Sequence, residues 1–217
     1  MPEAARLTRV SPNRIRRWLR GYSFTVVDGT QHVSPPVWER ELPGDGLALT
    51  FRDLIEVRFV HAFREAGLSW RVIRRSAERA ADLFQTTHPF STRRLYRTDG
   101  RRIFAKTLSE SGEEDLLDLF ENQYAFRLIV EPYLFGLQFS ENDLLRWWPL
   151  GTNRRVVIDP QRSFGEPITP KESVPTRVIM GGVRAEGSHE KVARWFGIPL
   201  RSVRDAVEFE TGLAAAA

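Results

Sequence analysis

The chain has 217 residues, 41% hydrophobic and 28% charged, with a formal net charge of +4 and a pI near 9.8. It contains no cysteine, which excludes disulfide frameworks, thiolate metal sites, iron–sulfur clusters and a cysteine nucleophile. No run approaches the ~18 apolar residues of a membrane span, and no apolar leader follows the first residues, so a soluble cytoplasmic chain without a membrane partner is expected.

In chain order, Glu3–Leu7 reads as a short helix. Ser11 is a good N-cap and Pro12 suits the first helical position, which predicts a second helix over Pro12–Arg20. Ile15, Trp18 and Leu19 lie on its inner face, at offsets of 3 and 4, while Asn13, Arg16, Arg17 and Arg20 lie opposite. Gly21 suits the C-cap. Tyr22–Val27 and Gln31–Ser34 flank Asp28-Gly29, a hairpin signal. Pro43-Gly44-Asp45-Gly46 is a breaker. Thr50 then caps a helix over Phe51–Ala66 whose apolar belt is wide enough for burial on more than one side, or for a dimer interface, and we favour the dimer. Ser69 starts a helix through Phe84. Arg94–Arg97 and Arg101–Lys106 around Asp99-Gly100 predict a second hairpin.

Ser109–Glu114 reads as an acidic linker and Asp115–Glu121 as a short helix. The aromatic-rich Gln123–Trp148 is ambiguous because of Pro132 and Gly136; its segment is either a solvated linker with a satellite core or a second partner surface. Val156-Val157-Ile158 is a short strand. Helices follow over Pro175–Ala185, Glu190–Phe196 and Leu200–Phe209, and Ala214–Ala217 is expected to fray.

The charge is uneven. Residues 1–106 carry 20 basic and 11 acidic side chains, residues 107–150 carry 2 and 9, and residues 151–217 carry 10 and 8. This asymmetry points to a nucleic-acid-facing front. Helix, tight turn and Arg-bearing helix form a helix-turn-helix layout in which arginine forks meet phosphates or guanine edges and Asn13 addresses adenine. Ser11, Asn13, Arg14, Arg16, Arg17, Arg20 and Tyr22 are the candidate DNA contacts, with His32 on the hairpin. The histidines show no metal spacing, and no phosphate-cradling glycine loop or nucleophile elbow occurs, so neither an enzyme, a metal nor a cofactor is expected.

The stretch Ser11 to Trp18, with Ile15-Arg16 and Trp18 and an inserted Arg17, resembles the winged helix of MerR-type regulators. Arg155-Val156-Val157-Ile158-Asp159-Pro160, Gly165-Glu166-Pro167-Ile168, Val174-Pro175-Thr176-Arg177-Val178 and Gly197-Ile198-Pro199 resemble the small three-helix domain found in bacterial toxin–antitoxin operons. Thr169–Ser173 and Gly181-Gly182 depart from that pattern. Together the two parts resemble VapB-type antitoxins whose partners are PIN-domain-like ribonucleases. The resemblance implies a mainly α fold with small β-hairpins: a MerR-like winged helix over 1–47, a central helical region with a hairpin over 48–108, an acidic connection over 109–150 and a three-helix domain over 151–217. It implies an antitoxin that binds operator DNA, represses its own operon and masks its toxin, as a homodimer. An arginine or an apolar plug can block the acidic pocket of such a nuclease, and Arg177, Arg184, Arg194, Trp195 and Phe196 are the candidate toxin contacts, although core packing also suits Trp195 or Phe196. The alternatives are a stand-alone MerR-like transcriptional regulator and an adaptor that binds only proteins.

Overall fold

The computed structural model describes residues 2–38, 48–96, 100–141 and 143–215. It is mainly α with small antiparallel hairpins, and the chain divides into two compact units, Met1–Tyr133 and Leu134–Ala217.

In the first unit, α1 (Pro2–Thr8) and α2 (Pro12–Arg20) are followed by a hairpin of β1 (Tyr22–Thr25) and β2 (Gln31–Ser34), paired Tyr22 to Ser34 through Thr25 to Gln31. Ser11 Oγ accepts from the Arg14 amide at 3.4 Å, and Ile15, Trp18 and Leu19 are the buried face of α2. Gly21 stands at φ +72, and a Cβ there would lie 2.4 Å from the Ser34 carbonyl oxygen, so the exit from α2 into the hairpin requires glycine. The breaker at Pro43–Gly46 lies outside the described residues.

Helices α3 (Phe51–Glu65) and α4 (Trp70–Phe84) start at the expected caps, Thr50 and Ser69. Helix α3 is buried along almost its whole length: Ile55, Val57, Phe59, Val60 and Phe63 have no exposed surface. Its wide belt is therefore consumed within the unit, and of the two readings the buried central helix is the one observed; this belt offers no dimer face. The predicted second hairpin is also corrected. Residues from Gly100 onward form α5 (Gly100–Ser111), because Ile103, Phe104, Thr107 and Leu108 recur at helical spacing and all are buried. A Cβ at Gly100 would fall 1.9 Å from the Leu95 carbonyl oxygen, so the glycine serves a close approach and not a hairpin turn. Asp99 lies outside the described residues. The expected acidic linker is shortened, since Ser109–Ser111 complete α5.

Helices α6 (Glu114–Glu121) and α7 (Gln123–Leu134) follow. Phe120 and Phe126 are buried, with ring centroids 5.5 and 6.0 Å from Phe104, which is 4.6 Å from Phe63. These aromatics extend the core of the first unit and are not a satellite cluster.

The second unit opens with a four-stranded antiparallel sheet in the order β3 (Leu137–Ser140), β4 (Asp143–Trp147), β5 (Val157–Ile158), β6 (Pro167–Ile168). Then come α8 (Thr176–Glu186), α9 (His189–Phe196) and α10 (Leu200–Ala215). Ile179, Val192, Ala193, Ile198, Val203 and Ala206 make its helical core. Left-handed glycines at Gly187 and Gly197 close α8 and α9. Ala214 and Ala215 are helical, against the expected fraying, and the last two alanines lie outside the described residues.

Candidate nucleic-acid and partner-binding surfaces

The outer face of α2 is formed by Asn13, Arg14, Arg16, Arg17 and Arg20, all exposed, and α2 carries no acidic residue. The inner face is locked: Trp18 meets Trp70 of α4 edge-on at 5.5 Å, and the Val37 amide donates to the Trp18 carbonyl at 2.9 Å. The arginines are arranged on this fixed support. Arg16 donates to Asn13 Oδ1 at 3.0 Å. The Arg17 guanidinium lies 5.0 Å from the Tyr22 ring centre and that of Arg14 lies 5.5 Å from Trp18. Ser11 is spent on the cap. Phe24 stacks on His32 at 5.6 Å, so His32 stands on the open hairpin, whose outer surface also carries Val27 and Val33. The structure thus brings Asn13, Arg14, Arg16, Arg17, Arg20 and Tyr22 together on α2 and the start of β1, and places His32 across the hairpin. Asp28 accepts from the Thr30 amide at 2.8 Å, a bond that holds its carboxyl below the usual range and closes the turn.

In the second unit the candidates separate. Arg177, on the first turn of α8, is 3.0 Å from Glu166. Arg194 and Trp195 line an open hollow of about 460 Å³ with Lys191 and with Glu186, from the other end of α8. Arg184 is exposed on α8. Trp195 is 68% exposed, whereas Phe196 is half-buried against the helical core; the two rings stack at 5.2 Å. Core packing therefore claims Phe196 and leaves Trp195 available.

A buried polar cluster under α3 escaped the sequence reading. Asp53 completes a capping box with Thr50, accepting from the Thr50 amide at 3.0 Å while Thr50 Oγ1 accepts from the Asp53 amide at 3.1 Å. Its other oxygen accepts from Trp38 Nε1 at 2.9 Å and faces His88 Nε2 at 3.2 Å, with Asp53 and His88 each 1% exposed. Burial raises the Asp53 carboxyl, but the bonds from His88, Trp38 and Thr50 outweigh it and hold it below its ordinary value. Glu56 is fully buried and accepts from the Ser91 amide at 2.7 Å; desolvation pushes its carboxyl well up. Burial likewise lowers the Arg58 guanidinium to about 10. Thr50 was legible as a cap, but its reciprocal partner Asp53 and the partners 15 and 35 residues away were not read. Among the described residues no His/Cys/Asp/Glu cluster has the arrangement of a metal site, and no helix is long and apolar enough to cross a membrane.

No protein-family profile matches the chain. The chain is 27% identical over 221 aligned positions to a Mycobacterium tuberculosis protein named "Putative antitoxin VapB45", covering 96% of this chain and 91% of that one. Its fold is also that of the crystal structure of Rv2018 from the same organism, with a TM-score of 0.64, 24% identity and 95% coverage of both chains. The likeness runs end to end and is not confined to one helix-turn-helix.

Proposed function

We propose that the chain is the antitoxin of a type II toxin–antitoxin system. It binds operator DNA through α2 and the β1–β2 hairpin, represses its own operon, and neutralises a PIN-like ribonuclease through its second unit. The observation that carries this reading is the end-to-end similarity to a protein of that name, on a fold that displays five polar and cationic side chains along one face of α2. Residues 1–47 supply the winged-helix contact, and two copies pair so that two α2 helices meet a palindromic operator. Arg14, Arg17 and Arg20 grip phosphates, while Arg16 exchanges Asn13 for a base edge and frees the Asn13 amide to address another. The hairpin brings His32 to the flanking backbone. In the second unit Arg177, Arg184, Arg194 and Trp195 face the toxin, and Phe196 supports Trp195 from beneath.

The test is a titration of the chain against its own promoter at several salt concentrations. Each phosphate contact contributes a slope of about −0.9 in log K against log salt, so Arg16→Ala plus Arg17→Ala, which removes the Arg17 phosphate contact and the Arg16 base contact, lowers the slope by about 0.9. Between about 50 and 200 mM salt the wild type then loses about 3.5-fold more affinity than the double variant. An unchanged affinity and slope refute the DNA role of α2.

A further inference from the structure

The loop between β5 and β6 presents a phenylalanine in a way that ordinary folding does not call for. Phe164 is 105% exposed, as open as in an extended peptide, and stands at φ +53. Ser163 before it has φ +47 and Gly165 after it φ +75, so three consecutive residues are left-handed and two of them carry side chains. Phenylalanine has no local hydrogen bond to offset that conformation, unlike asparagine or aspartate. Such a conformation persists only where the surroundings over-determine it, and here they do. The Gly165 amide donates to the Arg162 carbonyl at 3.0 Å and the Glu166 amide to the Ser163 carbonyl at 2.9 Å. Asp159 accepts from the Gln161 amide at 3.0 Å through its side chain and from the Arg162 amide at 3.0 Å through its carbonyl. The Arg162 guanidinium reaches across the base of the loop to the Pro170 and Lys171 carbonyls, at 2.5 and 3.5 Å, and to the Ser173 hydroxyl. A polar scaffold thus holds an apolar ring out in water. The Glu166–Arg177 pair, 3.0 Å apart, sets this loop beside the first turn of α8.

We infer that Phe164 is the anchor by which the second unit engages the toxin, with Arg177 at the rim of the contact. This rests on the antitoxin reading above. Binding energy concentrates in a few preorganised aromatic and arginine side chains that enter pockets, and Phe164 is preorganised by the bonds just described. DNA does not fit: residues 134–217 hold 11 basic and 10 acidic side chains, too balanced to hold a phosphate backbone. Phe164 is also better suited than Trp195, whose ring already stacks on Phe196. The occupant is a folded protein with an apolar pocket for the ring and a carboxylate beside it that competes with Glu166 for Arg177.

The experiment is calorimetric titration of the full chain with the purified product of the reading frame adjacent to its gene, using wild type, Phe164→Ala, Phe164→Gly and Arg177→Ala. Phe164→Ala and Phe164→Gly are expected to weaken binding at least about thirtyfold, as an anchor does. Phe164→Gly should leave thermal stability equal or higher, because glycine accepts φ +53 without strain, which separates loss of contact from loss of fold. Arg177→Ala is expected to weaken binding less. If wild type and Phe164→Ala bind alike, the anchor inference is overturned while the antitoxin reading stands. If wild type does not bind this partner at all, the antitoxin reading fails and the inference with it. Concentration-dependent self-association that Phe164→Ala abolishes would place the ring in a second copy of the chain and overturn the proposal too.

Discussion

Asp53→Ala is the perturbation with the most to say about the first unit. The substitution deletes an acceptor shared by the Thr50 amide, the Trp38 indole and His88. Both side-chain partners are buried, so neither finds water when the carboxylate goes. An orphaned buried donor costs about 1–3 kcal/mol, and loss of the reciprocal half of a capping box adds about 0.5–1 kcal/mol. These contributions overlap, and an overall loss of about 3–5 kcal/mol is expected. Asp53→Asn keeps one acceptor oxygen and should lose about half as much. Urea unfolding followed by far-UV circular dichroism and tryptophan fluorescence measures both. A loss below about 1.5 kcal/mol for Asp53→Ala, or equal losses for the two variants, would refute the claim that this carboxylate joins the three donors. The sign with pH is also fixed. The folded carboxyl is held below its ordinary value, so its contribution is present above about pH 4 and disappears as pH falls through the folded value. Asp53→Asn should flatten that acid limb.

Glu56 works in the opposite direction. Its carboxyl is raised, so the folded chain holds a proton that the unfolded chain releases, and stability declines by up to about 1.4 kcal/mol per pH unit between the unfolded and folded values. Glu56→Gln keeps an acceptor for the Ser91 amide and lacks that decline, so its denaturation midpoint should gain on wild type as pH rises above the ordinary glutamate value of about 4.3. In α8, a Cβ at Gly181 meets nothing within 4 Å, and Gly181→Ala should stabilise by about 0.5–1 kcal/mol through helix propensity. At the neighbouring Gly182 a Cβ already lies 3.4–3.5 Å from Val192 and Phe196, and Gly182→Val should cost about 1–3 kcal/mol by overpacking. Thermal melts that rank the two variants the other way would contradict the packing of α8 on α9.

Local signals in the sequence were dependable where a cap, a turn and an amphipathic stripe coincided. Helices α2, α3, α4, α8 and α9 begin within a residue of their expected starts, and Asp28-Gly29 turns the first hairpin. The same Asp-Gly signal at Asp99-Gly100 misled because the spacing of Ile103, Phe104, Thr107 and Leu108 decides that segment, and a glycine can serve a close backbone approach as well as a turn. The sheet of the second unit was read only in part, at the short strand Val156–Ile158 that becomes β5. Strands β3 and β4 fall in the aromatic segment that Pro132 and Gly136 left ambiguous, and β6 spans two residues, too short for an alternating pattern. On the α2 surface, periodicity identified which arginines face outward, but not that Arg16 rests on Asn13 or Arg17 on Tyr22. Phe164 gave no signal at all, because exposure and a positive φ are properties of the folded loop and leave no mark in composition.

The bond from Trp38 to Asp53 reaches beyond local stability. It ties the segment following the β1–β2 hairpin to the first turn of α3, while Trp18 against Trp70 ties α2 to α4. Helix α2 and its hairpin are thereby clamped at two points to the central helices and cannot open without disturbing them. They belong to one cooperative foldon, in which amide protons of α2 and of the start of α3 should exchange with a common opening free energy. A ligand held by α2 would then slow exchange deep in the aromatic core, and damage to that core would be read out first as slackness at the outer helix.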